Sequence, residues 1–289
     1  GAQLDGKSGD ALSADRAVIK GSVFLNAKFT ASGNVRLLGA QIGSNLDCTG
    51  AQLDGRNSHA LFANRVAIKG HVLLNDGFTS VGEVRLQAAQ ISGNFECKGA
   101  TFKSSEGHSF ASDGMVVSGS FVFKLEVPAH RVSLASTRVG RLIDDAAAWG
   151  DEVELDGFVY DHIGGGAPTD AATRLQWLDK QPNEHLTASS FRPQPWKQLQ
   201  HALRNMGHAE DARQVAIALE EHLRAANLIG QTPQDWPVWK RHAYCSTAKG
   251  MHAAFGHLMG YGYRPMRLGA WMVGVWLVCA AVYWVAALQ

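Results

Sequence analysis

GAQLDG opens the chain at residues 1–6 and returns unchanged at residues 50–55; an altered copy, GATFKS, stands at 99–104, so the beat is 49 residues. Self-similarity at a fixed period marks a repeat architecture, and it has to be read before any local motif. The copies reach well beyond the hexamer. AVIKGSVFLN (17–26) matches VAIKGHVLLN (66–75) and MVVSGSFVFK (115–124). GNVRLLGAQIGSNLDCTGAQL (33–53) matches GEVRLQAAQISGNFECKGATF (82–102) and, with one residue deleted, HRVSLASTRVGRLID (130–144).

Inside each copy a smaller unit, V-x-L followed by A-x-I or A-x-L, recurs: Val35, Leu37, Ala40 and Ile42, then Leu46, Cys48, Ala51 and Leu53. Two inward residues flanking one outward residue make a very short strand. No helical spacing of apolar residues is sustained before about residue 170. The pattern predicts a β-solenoid, a right-handed parallel β-helix, over residues 1–163, with 49 residues making two coils. A leucine-rich repeat would also divide 49 in two, but its L-x-x-L-x-L-x-x-N run is missing. On this reading GAQLDG is a corner: Gly and Ala bend the chain, Leu4 and Leu53 turn inward, and Asp with Gly leads out again.

Cys48 and Cys97 are repeat-equivalent. Two coils at about 4.8 Å each hold them roughly 10 Å apart, beyond the reach of a disulfide, about 7 Å between Cα atoms. Both are expected as small core residues. With Cys245 and Cys279 they form no C-x-x-C pair, so nothing supports a zinc site.

Residues 164–169 read as a linker, and the period then becomes helical. Asp170 is placed to cap a helix carrying Ala171, Leu175 and Leu178. Pro195 suits a first turn before Leu199, Leu203 and Met206; after Gly207, a second helix carries Ala212, Val215, Ala216, Leu219 and Leu223. This helical region, 170–230, cannot bury its apolar face alone and is expected to pack on the last coil or on a partner.

Net charge is +1, giving no reason to expect nucleic acid as a partner. The charge is unevenly placed, since no Asp or Glu follows Asp235. Residues 231–267 mix aromatics with cations, and Trp236, Trp239, Lys240, Arg241, Tyr261, Tyr263, Arg264 and Arg267 read as anchors at a membrane interface. LGAWMVGVWLVCAAVYWVAAL (268–288) is uncharged and would span about 31 Å as a helix. A transmembrane helix is therefore expected over 268–289, with the lipid bilayer as partner. Arg264 and Arg267 would hold the N-terminal side, and with it the solenoid, in the cytoplasm.

These segments resemble a group of bacterial membrane proteins. The family has glycine-rich, pentapeptide-like β-helical repeats of the form GAxIGGxLDLxGAxL, here GAQIGSNLDCTGAQL (39–53). A helical hairpin follows, here PQPWKQLQHALRNMGHAEDARQV (193–215), then a junction to membrane helices, here GYGYRPMRLGAW (260–271). The resemblance covers nearly the whole chain. It implies the bacterial inner membrane and a further membrane helix, so the chain is expected to be cut inside a coil at the front and between membrane helices at the back. Members are often labelled membrane-associated oxidoreductases.

The residues themselves offer little chemistry. No G-x-G-x-x-G follows a strand, and no haem, flavin or iron–sulfur ligand pattern is present, so no cofactor is expected. His252 and His257 miss the spacing of an H-E-x-x-H metal site. Asp47, Glu96 and Asp144 read as an outward acidic stripe that could take a cation or polar ligand, and Asn26 and Asn75 as rungs of an internal amide ladder. The sequence favours a non-enzymatic scaffold that self-associates or binds protein partners. The alternatives are a ligand-sensing effector or channel, and an oxidoreductase or carbohydrate-active enzyme on the solenoid face.

Overall fold

The computed structural model describes residues 1–104, 107–187 and 190–288. Its first part is a parallel β-solenoid. One row of strand partners, Val18, Gln41, Ala67, Gln90, Val116, Arg138 and Val159, runs through seven coils. The alternation read from the sequence is what fills it: Val35, Leu37, Ala40, Ile42, Leu46, Cys48, Ala51 and Leu53 are each at most 1% exposed.

The 49-residue beat is two coils of unequal length. Leu4 pairs with Ala31, 27 residues on, and Ala31 with Leu53, 22 on; Leu53 to Ser80 and Ser80 to Phe102 repeat the alternation. The surplus lies directly after the hexamer, where the ladder breaks between Asp5 and Asp10, and again opposite Val81 and Glu83 at Asp54 and His59. In the second copy Asp54 Oδ1 accepts from the Arg56 amide at 2.9 Å, and Arg56 takes φ +49°. Gly55 folds so tightly that a Cβ there would stand 2.5 Å from the His59 carbonyl carbon. Only glycine closes this loop. The Asp-Gly of GAQLDG thus opens an outward loop rather than leading straight to the next strand.

Cys48 and Cys97 are fully buried and free, and Leu74 stands between them in the same inward row. Burial, and after it the neighbouring Asp47 and Glu96 carboxylates, pushes both thiols up. Asn26 and Asn75 form no internal ladder. Both sit half-buried at turns, where Asn26 donates to Asp47 and Asn75 accepts from the Lys98 amide. The turn backbone of each neighbouring coil needs partners, and a short amide supplies them.

Toward its C-terminal end the core becomes aromatic. Phe95 stacks on Phe121 at 5.2 Å, Phe121 on Phe123 at 5.6 Å, and Phe123 on Trp149 at 4.5 Å. There the stack is closed by α1 (Ala171–Leu178) and α3 (Gln194–Asn205). The helices are α1 (Ala171–Leu178), α2 (Asn183–Leu186), α3 (Gln194–Asn205), α4 (Ala209–Ala225), α5 (Val238–Met259) and α6 (Met266–Ala287). One compact unit comprises Gly1–Asn183 and Gln194–Ala212; the other comprises Glu184–Pro193 and Arg213–Gln289.

Asp170 caps α1 as expected, accepting from the Thr173 amide at 2.9 Å. From α1, Arg174 reaches into the solenoid and binds Asp144 through both terminal nitrogens at 2.8 and 2.7 Å, while Trp149 Nε1 donates to the same carboxylate at 2.7 Å. Arg174 Nε donates to the Pro168 carbonyl at 2.7 Å, and its guanidinium lies 5.2 Å from the Trp177 ring. The pair is 2% and 0% exposed, so both charges depend on this full set of partners.

The open backbone edge of the last coils is satisfied by side chains. Gln194 of α3 accepts from the Gly157 amide at 2.9 Å and donates to the Phe158 carbonyl at 3.1 Å. One helical turn on, Gln198 donates to the Tyr160 carbonyl at 2.6 Å. The Val153 amide donates to the Lys180 carbonyl at 2.8 Å. Two glutamines on one helix face therefore do what the backbone of an eighth coil would do.

Removing one partner of the buried pair should be costly. Arg174→Ala or Asp144→Ala is expected to destabilise the solenoid by about 3–5 kcal/mol, read by denaturant unfolding of the detergent-solubilised chain. The double change Asp144→Leu with Arg174→Met should cost less than either.

Candidate functional site

Asp47, Glu96 and Asp144 do not form a stripe. Asp47 and Glu96 lie in one outward row, linked through Leu73, but that row continues to Val122 and Ile143. Asp144 lies one residue over, in register with Phe123 and Cys97, and points inward. The deletion in its copy shifts the alternation by one, and a shift of one exchanges the faces of a strand. The outward pair is also occupied. Burial raises the Asp47 carboxyl, but bonds from Thr49 and Asn26 outweigh it and hold the group below its ordinary range. Glu96 accepts from Asn94 Nδ2 at 2.9 Å. Among the described residues no group of three or more His, Cys, Asp or Glu is placed to hold a metal ion.

The solenoid does carry an open groove of about 730 Å³ along its first four coils. Its floor is a polar ladder in which Gln3, Thr30, Gln52 and Thr79 succeed one another in register, beside a second row of Asp5, Ser32, Asp54 and Val81. Arg56 reaches across two coils to Asp5 Oδ1 at 2.6 Å and to Ser32 Oγ at 2.8 Å. It neutralises one acid and ties the hexamer loop to the groove wall. The result is a largely uncharged surface of hydroxyls and amides at strand spacing, suited to hydrogen bonding along an extended partner.

The second unit is organised around GYGYRP. Gly260, Tyr261 and Gly262 take φ +54°, +56° and +86° in succession, which ends α5 and turns the chain; Pro265 then precedes the first turn of α6. Tyr261, expected as an outward anchor, turns inward instead. Its hydroxyl accepts from Arg224 Nη1 at 3.1 Å and its ring lies 4.6 Å from that of His252. A Cβ at Gly256 would meet the Tyr261 ring at 2.4 Å, so glycine makes the room. His252 Nε2 lies 3.1 Å from Glu220 Oε2, and Lys249 donates to Asn227. Burial, helped by Glu221 and Glu220 and opposed by Arg224, pushes the Tyr261 phenol up.

Of the other expected anchors, Trp236 and Lys240 come together, with the ammonium 4.0 Å from the ring. Trp239 is 73% exposed, Arg241 and Arg267 are exposed, and Tyr263 and Arg264 are half-buried at the turn. Among the described residues α6 alone is long and apolar enough to cross a membrane, with a mean hydropathy of 1.9 and none of that stretch buried. It starts two residues before the expected span; Gln289, the end of that span, lies outside the described residues.

Sequence reasoning did not find Arg174, because an arginine on a short helix looks solvent-facing until Asp144 is known to point inward. It also passed over Glu220 and Arg224, whose partners lie more than thirty residues away. No protein-family model, curated protein or solved structure matches the chain.

The junction yields an ordered pair of expectations. Tyr261→Phe, which loses one bond to a charged donor, should loosen α5 by about 1–2 kcal/mol. Gly256→Val, which must displace the ring, should cost more. Amide hydrogen exchange across 238–264 would measure both.

Proposed function

We infer that the chain is a membrane-anchored, non-enzymatic scaffold of the bacterial group its motifs resemble, held in the inner membrane by α6 with the solenoid in the cytoplasm. The observation that carries this reading is α6, a 22-residue apolar helix whose surface is left uncovered, with Arg264 just before it, Arg267 in its first turn and no acid after Asp235. A structural role for the solenoid is supported by the use its acids are put to. Asp47, Glu96 and Asp144 each bond to their own coil or to the cap. Since α3 occupies the edge of the last coil, binding or self-assembly runs through the sides of the rod, where the polar groove lies.

After alkaline carbonate washing the chain should stay with the membrane and leave it only in detergent; recovery in the wash would remove the anchor. A membrane-impermeant maleimide should reach Cys245 in inverted inner-membrane vesicles and not in intact spheroplasts, and the opposite pattern would place the solenoid outside. Cys48 and Cys97, sealed in the core, add no background. For the lateral surface, Thr30→Arg with Thr79→Arg should lower the assembled mass in detergent while leaving the circular dichroism spectrum unchanged.

A further inference from the structure

Helix α5 carries an apolar stripe that its own unit leaves open. Tyr244, Thr247, Met251, Ala254, Phe255 and Leu258 follow one another at steps that keep them on one face. Tyr244, Met251 and Phe255 are 50%, 69% and 45% exposed. The opposite face is the one in use: His252 meets Glu220 and Gly256 lies under Tyr261. The stripe is therefore fixed in orientation by contacts behind it.

Three features say what covers it. The charge around it has one sign: Lys240 and Arg241 lie on α5, Arg264 and Arg267 follow, and no acid occurs after Asp235. Six residues, 260–265, separate α5 from α6, and the His257 ring lies 5.9 Å from that of Trp271. The stripe is thus tethered beside the segment read as the membrane span. Lastly, Lys240 and Arg241 are both exposed at the head of the stripe, Lys240 against the Trp236 ring. An apolar helix face bordered only by cations fits an anionic bilayer surface, where the ring and thioether side chains enter the headgroup boundary and the cations meet lipid phosphates. A protein groove would satisfy the apolar stripe but would have to bring its own acids for the cations.

We propose that α5 is a docking face for anionic phospholipid headgroups. This rests on the reading of α6 as the anchor and adds a second, charge-dependent contact with the same membrane. The full chain carrying Cys245→Ser, Cys279→Ser and Met251→Cys with a nitroxide on the new thiol would be reconstituted into phosphatidylcholine vesicles, with or without one third phosphatidylglycerol. Power-saturation measurements then compare collision with oxygen, which favours lipid, against a water-soluble nickel reagent. Oxygen preference at residue 251 should rise several-fold with the anionic lipid and fall back at high salt, and Lys240→Gln with Arg241→Gln should cut the gain by on the order of tenfold. A label that stays in water in both vesicles overturns the proposal, as does equal immersion in both, or shielding from both reagents, which would mean a protein cover. Co-flotation after carbonate washing separates the two claims. A chain that floats while its label stays aqueous loses the lipid dock and keeps the anchor; a chain that fails to float loses both.

Discussion

The ion pair between Asp144 and Arg174 settles where the solenoid stops. A stack of parallel coils has no natural end, because each coil leaves a row of unpaired backbone groups that the next one satisfies. Here a charged residue takes an inward position, and the cost of burying it is met only when α1 lies across the end and supplies a guanidinium. Once α1 is in place, the Lys180 carbonyl and the two glutamines of α3 meet the remaining edge groups. The core prepares for this by changing from aliphatic to aromatic, so that Phe123 and Trp149 form a surface on which Trp177 of α1 packs.

Most of the solenoid is legible in the sequence because period 2 and the 49-residue beat are both strong signals carried by many residues. Val35, Leu46 and Cys48 are inside for the reason their spacing gives. The single-residue deletion before Arg141 is where this legibility fails. Aligned without that deletion, Asp144 falls beside Glu96; with it, as in the strand ladder, it falls beside Cys97. One acid among many outward acids carries no local sign of its inversion, since what identifies it is a partner thirty residues later in a helix. The cap glutamines are visible as letters in PQPWKQLQ, yet their role depends on facing a strand edge whose position no local pattern reveals.

The second unit shows a related division. The apolar span and the basic flank can be read from composition, whereas the role of Tyr261 cannot. An aromatic beside arginines looks like an interfacial anchor until the left-handed backbone at 260–262 turns it back over Gly256. With its phenol against Arg224, Tyr261 becomes part of the frame that sets the angle of α5.

The alternation of 27 and 22 residues along the coils has a consequence for how such a rod can change over time. Because each outward hexamer loop belongs to every second coil, successive loops stand about 10 Å apart along one side, like marks on a measuring rule. Adding or losing a single coil would set two looped coils or two plain coils side by side and break the spacing. Adding or losing 49 residues would leave every mark where its neighbours expect it. The length of the rod can therefore vary in whole double coils while the pattern it displays stays the same.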